Sequence, residues 1–200
     1  MEDDGALLER FRGGDRPAGE ALFERYFDAL YRFFEPKVAA NDVGDLVQRT
    51  FLGCVETAER FRGEASVRTL VYRIAKNQLQ DYYRKRYRAP TLDFGVSSVE
   101  ALGPSPTSIL RRKERDELLE RAMRRIPLEL ALTLELHYLE GLRGPELARV
   151  LEIPEGTVRS RLRRALEAVR REVERLEAPG PARDSTLSGI AEWDREAVAS

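Results

Sequence analysis

The chain has 200 residues, 34% of them charged, and a formal net charge of −1. That length admits one large domain or two small ones, and the balanced charge excludes a polycation that coats nucleic acid by charge alone. A single cysteine, Cys54, excludes a disulfide framework within the chain, and no apolar run approaches the ~18 residues that span a bilayer.

The acidic start, MEDDGALLER, lacks the basic-then-apolar order of a signal peptide. A protein of the reducing cytoplasm, without membrane insertion, is expected. Helical periodicity runs through the sequence and strand signals are nearly absent. The expected fold is all-α: two small helical domains joined by a flexible linker.

Residues 1–19 read as an N-terminal extension. A first helix is predicted over 20–34, where Leu22, Phe23, Tyr26, Phe27, Leu30, Phe33 and Phe34 recur at three- to four-residue spacing before Pro36. A second, over 42–60, puts Val43, Leu46, Val47, Thr50, Phe51, Cys54 and Ala58 on one face, with Asn41 or Asp42 available as its cap. Gly63 interrupts the pattern. A third, over 66–86, starts from Ser66 as N-cap and turns Val67, Leu70, Val71, Ile74, Ala75, Leu79 and Tyr83 inward. These helices make a first domain over 20–88.

The pattern collapses over 89–108, which holds three prolines and no sustained period, so this stretch is expected to be a linker. Fully extended it would reach at most about 66 Å, at roughly 3.3 Å per residue. Helices resume over 109–125, then from Pro127 to Gly141, over 145–151 and over 155–176, giving a second domain over 109–177. The tail, 178–200, is rich in Pro, Gly, Ser and acids around Trp193 and is expected to be flexible, with room for a short helix.

Residues 144–164, GPELARVLEIPEGTVRSRLRR, give a short helix, a tight break at Glu152-Ile153-Pro154 and a second helix, the arrangement of a helix-turn-helix. Val158, Leu162 and Ala165 would hold the second helix on its core. Arg159, Ser160, Arg163 and Arg164 would then face outward, as a recognition helix requires to enter the major groove. Arginine can bond two acceptors on one guanine edge, worth roughly 1–3 kcal/mol of base discrimination. Gly156 and Thr157 would leave backbone N–H groups for a phosphate.

Catalytic chemistry finds no foothold. The one histidine, His137, sits between Leu136 and Tyr138 on an apolar helix, and one Cys with one His makes no zinc site. Carboxylates alternate with arginines at helical spacing, as solvated faces do, and no Gly-rich phosphate loop occurs. No enzyme activity, metal, cofactor or small-molecule substrate is expected.

Residues 126–166 resemble the promoter-binding region 4 of RNA polymerase sigma factors of the extracytoplasmic-function (ECF) group. The carrying residues are Ile126-Pro127, Glu140-Gly141-Leu142, Glu146-Leu147-Ala148 and the run from Ile153 to Leu162. Asp45-Leu46-Val47-Gln48 with Thr50-Phe51-Leu52 resembles region 2.2 of the same family. Phe61-Arg62-Gly63, Thr69 and the run Tyr72-Arg73-Ile74-Ala75-Lys76-Asn77 resemble the regions that open and read the −10 element.

The resemblance implies three sets of site residues. Asp45, Leu46, Val47, Gln48 and Phe51 would bind the clamp helices of the polymerase's largest subunit. Phe61, Arg62, Ser66, Lys76, Asn77 and Arg84 would contact the −10 element. Thr157, Arg159, Ser160, Arg163 and Arg164 would read the −35 element. The implied partners are core RNA polymerase, through those clamp helices and the flap region, promoter DNA and an anti-sigma factor. Tyr72, Tyr82, Tyr83 and Tyr87 with neighbouring cations would supply the stacking surfaces and charge that hold an opened strand, one or more of these rings being core.

The sequence departs from the family pattern at four positions. Arg49 stands where an acid is usual, Val55 and Leu70 where tryptophans are common, and Arg143 where a capping Ser or Thr is common. The Gly-Thr-Val-Arg-Ser-Arg run alone would also allow a stand-alone helix-turn-helix regulator that does not bind core polymerase. Such regulators lack the region 2 pattern.

Overall fold

A computed structural model describes residues 2–58, 65–102 and 114–199. The chain forms two compact units, Met1–Pro90 and Thr91–Ser200, and is helical wherever regular structure occurs among the described residues.

The first unit has four helices: α1 (Asp4–Arg12), α2 (Arg16–Phe34), α3 (Ala40–Ala58) and α4 (Val67–Tyr87). α1 falls in the stretch expected only as an extension. Asp3 caps it, accepting from Gly5 N at 3.0 Å, and Leu7 and Leu8 are buried. α2 begins earlier than the apolar period suggests, because Asp15 accepts from Ala18 N and Pro17 occupies the first turn. Asp4 takes hydrogen bonds from Arg25 and from the Tyr26 hydroxyl, tying α1 to α2.

α3 starts at Ala40, so Asp42 lies inside the first turn instead of capping it. Its carboxylate accepts from the Tyr82 hydroxyl of α4 at 2.8 Å. α3 and α4 approach closely at Gly53, where an added Cβ would stand 2.9 Å from Ile74 Cγ2. Ser66 caps α4 as expected, its hydroxyl accepting from Thr69 N at 3.2 Å. The core between α2 and α4 holds Phe33, Phe34, Tyr72, Leu79 and Tyr83, with Phe33 and Tyr72 edge to face.

The second unit contains α5 (Val99–Leu102), α6 (Glu114–Arg125), α7 (Leu128–Leu134), α8 (Gly144–Leu151), α9 (Glu155–Leu176) and α10 (Pro181–Ala199). The helix expected from Pro127 to Gly141 is divided: α7 passes into a π-helical turn, Glu135–Leu139. Gly141 then takes the left-handed backbone (φ 64°) that a side chain would resist. Leu142 folds back, its N–H bonded to Leu136 O at 2.9 Å. His137 closes this loop from inside. It is buried, with Nδ1 2.8 Å from Leu142 O, and plays a structural part.

Two segments carry more structure than their composition suggests. The described first part of the expected linker is packed, not loose. Phe94, Val99 and Leu102 are buried, and backbone bonds run from Leu128 N to Ser97 O (2.9 Å) and from Glu129 N to Phe94 O (3.1 Å). Three apolar side chains and a short backbone pairing outweigh the local preference for disorder. The tail is not loose either: α10 packs on α6 and α9. Trp193 lies stacked on Tyr138 with ring centroids 4.6 Å apart, the Tyr138 hydroxyl donates to Trp193 O at 2.7 Å, and Ile190 is buried.

Candidate nucleic-acid and partner interfaces

The helix-turn-helix is built by α8 and α9. Leu147, Leu151, Val158 and Leu162 are buried between them, and Ala148 is small at the crossing. Glu152 makes the tight break in the left-handed conformation (φ 56°), and Ile153 N bonds back to Ala148 O at 3.1 Å.

With Val158, Leu162, Ala165 and Val169 turned inward, Arg159, Ser160, Arg163 and Arg164 stand exposed, and Thr157 is half-buried above them. Among the described residues neither Arg159 nor Arg164 has an ion-pair partner, and Arg163 has only a loose one in Glu167 at 3.9 Å. Arg161 is different: it turns toward α7 and pairs with Glu129 at 3.1 Å. One expectation fails at the helix start. The Thr157 N–H already donates to Pro154 O at 2.9 Å, so it is not left for a phosphate.

On α3, the expected partner-binding residues divide by helical periodicity. Leu46 and Val47 are buried and hold the helix, while Asp45 and Gln48 are exposed. Asp45 is bonded to Arg49 at 2.9 Å, so the arginine in an unusual place neutralises its acidic neighbour. Phe51 is half-buried and packs on Phe23 of α2, centroids 4.5 Å apart. Phe23, Phe27 and Tyr31 continue this contact as a partly exposed aromatic row, with exposed Leu52 and Val55 beside it. The spacing of Phe23 and Phe27 enters the sequence reading only as evidence for a helix, without a separate face for these rings. The i, i+4, i+8 spacing of Phe23, Phe27 and Tyr31, one step off the buried row Leu22, Tyr26, Leu30, was the available signal for a second apolar face.

Of the residues expected at a −10 element, Phe61 and Arg62 lie outside the described residues. Ser66 is exposed at the N-cap of α4, Asn77 is half-buried and Arg84 pairs with Asp81 at 3.1 Å. Lys76 does not join them at the surface, since it is only 4% exposed. It shares the inner stripe of α4 with Tyr72, Leu79 and Tyr83. Tyr72 and Tyr83 are core, and the Tyr83 hydroxyl donates to Lys37 O at 2.6 Å. Tyr82 is half-buried on Asp42, which leaves Tyr87 as the exposed ring beside Lys85, Arg86 and Arg88.

Comparison with known proteins follows the same two-unit division. Residues 22–89 match the family Sigma-70 region 2, and residues 116–169 match Sigma-70, region 4. The ECF RNA polymerase sigma-E factor of Haemophilus influenzae is 30% identical over 184 residues, covering 86% of this chain and 96% of that protein. That of Escherichia coli K12 is 31% identical over 183 residues, covering 86% and 95%. The chain belongs to the ECF family of RNA polymerase sigma factors.

Two solved structures share the fold of this sigma factor. CnrH, in complex with the cytosolic domain of CnrY, superposes with a TM-score of 0.63 at 23% identity, covering 84% of this chain and 95% of that one. The sigma factor RpoE of Bartonella quintana, in complex with the anti-sigma factor NepR, gives 0.58 at 19%, covering 78% and 96%. Both α1 and α10 lie outside the two matched regions of the sigma factor.

The departures from the family pattern now have physical readings. Leu70 is 2% exposed, a packing residue, whereas Val55 is 46% exposed. Arg143 occupies the N-cap position of α8 in extended backbone and makes no side-chain cap bond. Among the described residues no helix of the sigma factor is long and apolar enough to cross a membrane, and no cluster of three or more His, Cys, Asp or Glu could hold a metal ion.

Proposed function

We propose that this ECF sigma factor divides promoter recognition between its units, without catalytic groups of its own, in the cytoplasm. The N-terminal unit docks on the clamp helices of core polymerase through Asp45, Gln48 and Phe51, with Leu46 and Val47 holding that face in place. The exposed end of α4 and its start take the −10 strand, through Ser66, Asn77 and Arg84 together with Phe61 and Arg62. Lys76, being buried, supports α4 from within. The C-terminal unit reads the −35 element through Thr157, Arg159, Ser160, Arg163 and Arg164 and meets the flap region.

The observation that carries this reading is the pair of open faces in one chain: an aromatic-apolar face around Phe51 and a separate arginine face on α9 with few ion pairs. Opening duplex costs about 1.4 kcal/mol of stacking per step, so captured single strand must offset it. Exposed Tyr87 among Lys85, Arg86 and Arg88 supplies a ring and positive charge suited to that task. By analogy with RpoE and NepR, an anti-sigma factor covers the polymerase-binding face when the chain is held inactive.

The test is co-elution of the purified chain with core RNA polymerase from its own host on size exclusion. Wild type is expected to co-elute, and Phe51→Ala to lose at least tenfold in affinity with unchanged helix content. Folded wild-type protein that fails to bind would overturn the reading.

A further inference from the structure

We propose that the N-terminal unit holds a binding site for a small, uncharged apolar molecule. Helices α1 to α4 surround a cavity of ≈ 370 Å³. That volume lies at the lower end of the roughly 300–1,000 Å³ typical of small-molecule sites. Its walls come from all four helices: Leu8 and Phe11 of α1, Phe23 of α2, Phe51 and Val55 of α3, and Leu70 of α4. Leu8 and Leu70 are buried in its floor, while Phe23 and Val55 are exposed at its mouth.

Protein interiors are close-packed and leave few voids larger than a water molecule. A gap of this size between packed helices would ordinarily shrink as side chains relax into it. Here the α1 wall is fixed at two points. The Phe11 ring rests directly on Gly19, where an added Cβ would come within 2.5 Å of its Cδ2. The Tyr26 hydroxyl and Arg25 both bond Asp4, which pins α1 to α2. The space is therefore preformed, and apolar cavities exclude water and accept apolar guests.

The rim sets the charge of the guest. Arg16 and Glu20, one helical turn apart on α2, line the cavity, and neither has an ion-pair partner among the described residues. One cation and one anion side by side favour neither sign. An ionised guest would also lose its hydration on entering walls that are otherwise carbon, the Cys54 thiol and the Tyr26 phenol, whose hydroxyl is already bonded to Asp4. The occupant that fits is neutral and largely hydrocarbon, of the size of a substituted bicyclic aromatic.

The probe is N-phenyl-1-naphthylamine, a neutral apolar fluorophore, titrated into the full chain without polymerase, so the outcome is independent of the function proposed above. The expected result is saturable enhancement at one probe per chain and a higher melting temperature at saturation. Val55→Trp narrows the mouth and Leu70→Phe raises the floor. Each should weaken binding at least tenfold and abolish the thermal shift, with helix content unchanged in at least one of them. The anionic analogue 1-anilinonaphthalene-8-sulfonate should bind at least tenfold more weakly than the neutral probe. Non-saturating enhancement, or equal affinity in a folded cavity-filling variant, would show surface adsorption and overturn the site. Tighter binding of the anionic dye would overturn the neutral guest.

Discussion

Cys54 shows how a single position on α3 can be read through its surroundings. Burial pushes its thiol from 9.0 up to about 12, with no opposing charge to bring it back. The folded value lies above the unfolded one, so the folded state retains the proton longer. The stabilising contribution is complete below about pH 9 and is lost as pH rises toward 12. Urea unfolding of wild type and Cys54→Ala at a series of pH values should therefore show the wild type losing stability relative to the variant across that window. Reaction with a disulfide reagent at pH 8 should be at least about tenfold slower in native than in urea-unfolded protein, because attack requires thiolate and the greater nucleophilicity of a more basic thiolate offsets only part of its scarcity. Similar native and unfolded rates would mean that the thiol is solvated. Lys76 carries the complementary lesson. Its motif resembles a surface DNA contact, but Tyr72, Lys76, Leu79 and Tyr83 fall on one buried stripe of α4, a helical spacing that the motif reading did not weigh.

Individual helices differ in how much of their stability is written locally. α2, α3, α4 and α9 carry sustained apolar periods, and their existence and inward faces are legible in the sequence. α1 and α10 were not. α10 has Ser, Gly and acids on most of its surface and is held by Ile190 and by Trp193 lying on Tyr138, a partner 55 residues earlier. The 91–102 segment likewise depends on Phe94, Val99 and Leu102 finding a core supplied from elsewhere in its unit. Tertiary burial decided these segments, and a local window contains only half of each contact. At the start of α8 the local rule leaves room for improvement. Arg143 has the extended backbone of an N-cap (φ −126°, ψ 155°) but no side-chain oxygen to accept from the first turn. Arg143→Ser should add that bond and stabilise the C-terminal unit by about 1 kcal/mol in chemical denaturation. A neutral or destabilising result would mean that the arginine makes compensating contacts through its stem.

At the scale of the whole molecule the decisive quantity is charge. The formal net charge is −1, so the exposed arginines of α9 are offset by acids elsewhere, and the general attraction that drives non-specific DNA binding is small. Base contacts from Arg159, Arg163 and Arg164 can each add about 1–3 kcal/mol of discrimination, but they act only once the helix is already placed in a groove. A second contact through the N-terminal unit carries a further obligation, because duplex must be opened at about 1.4 kcal/mol per step before a strand can be held. Making both contacts from free solution is the difficulty for a chain with so little net attraction to DNA. Core polymerase would remove this difficulty by holding the two units near two promoter elements, so that the second contact forms at high effective concentration. The isolated chain should therefore give no tight sequence-specific shift of promoter DNA, and the same DNA should shift tightly when core polymerase is added. In that ternary complex Arg163→Ala should weaken promoter binding by roughly 5- to 150-fold, the range set by 1–3 kcal/mol, and relax selectivity at one position of the −35 element. Core binding measured without DNA should be unchanged by that substitution, since Arg163 stands on the exposed arginine face of α9 and the clamp-helix contact is proposed for α3. Tight, selective binding by the isolated chain would mean that α9 reads DNA unaided, and the dependence on polymerase would then have to be sought in strand opening alone.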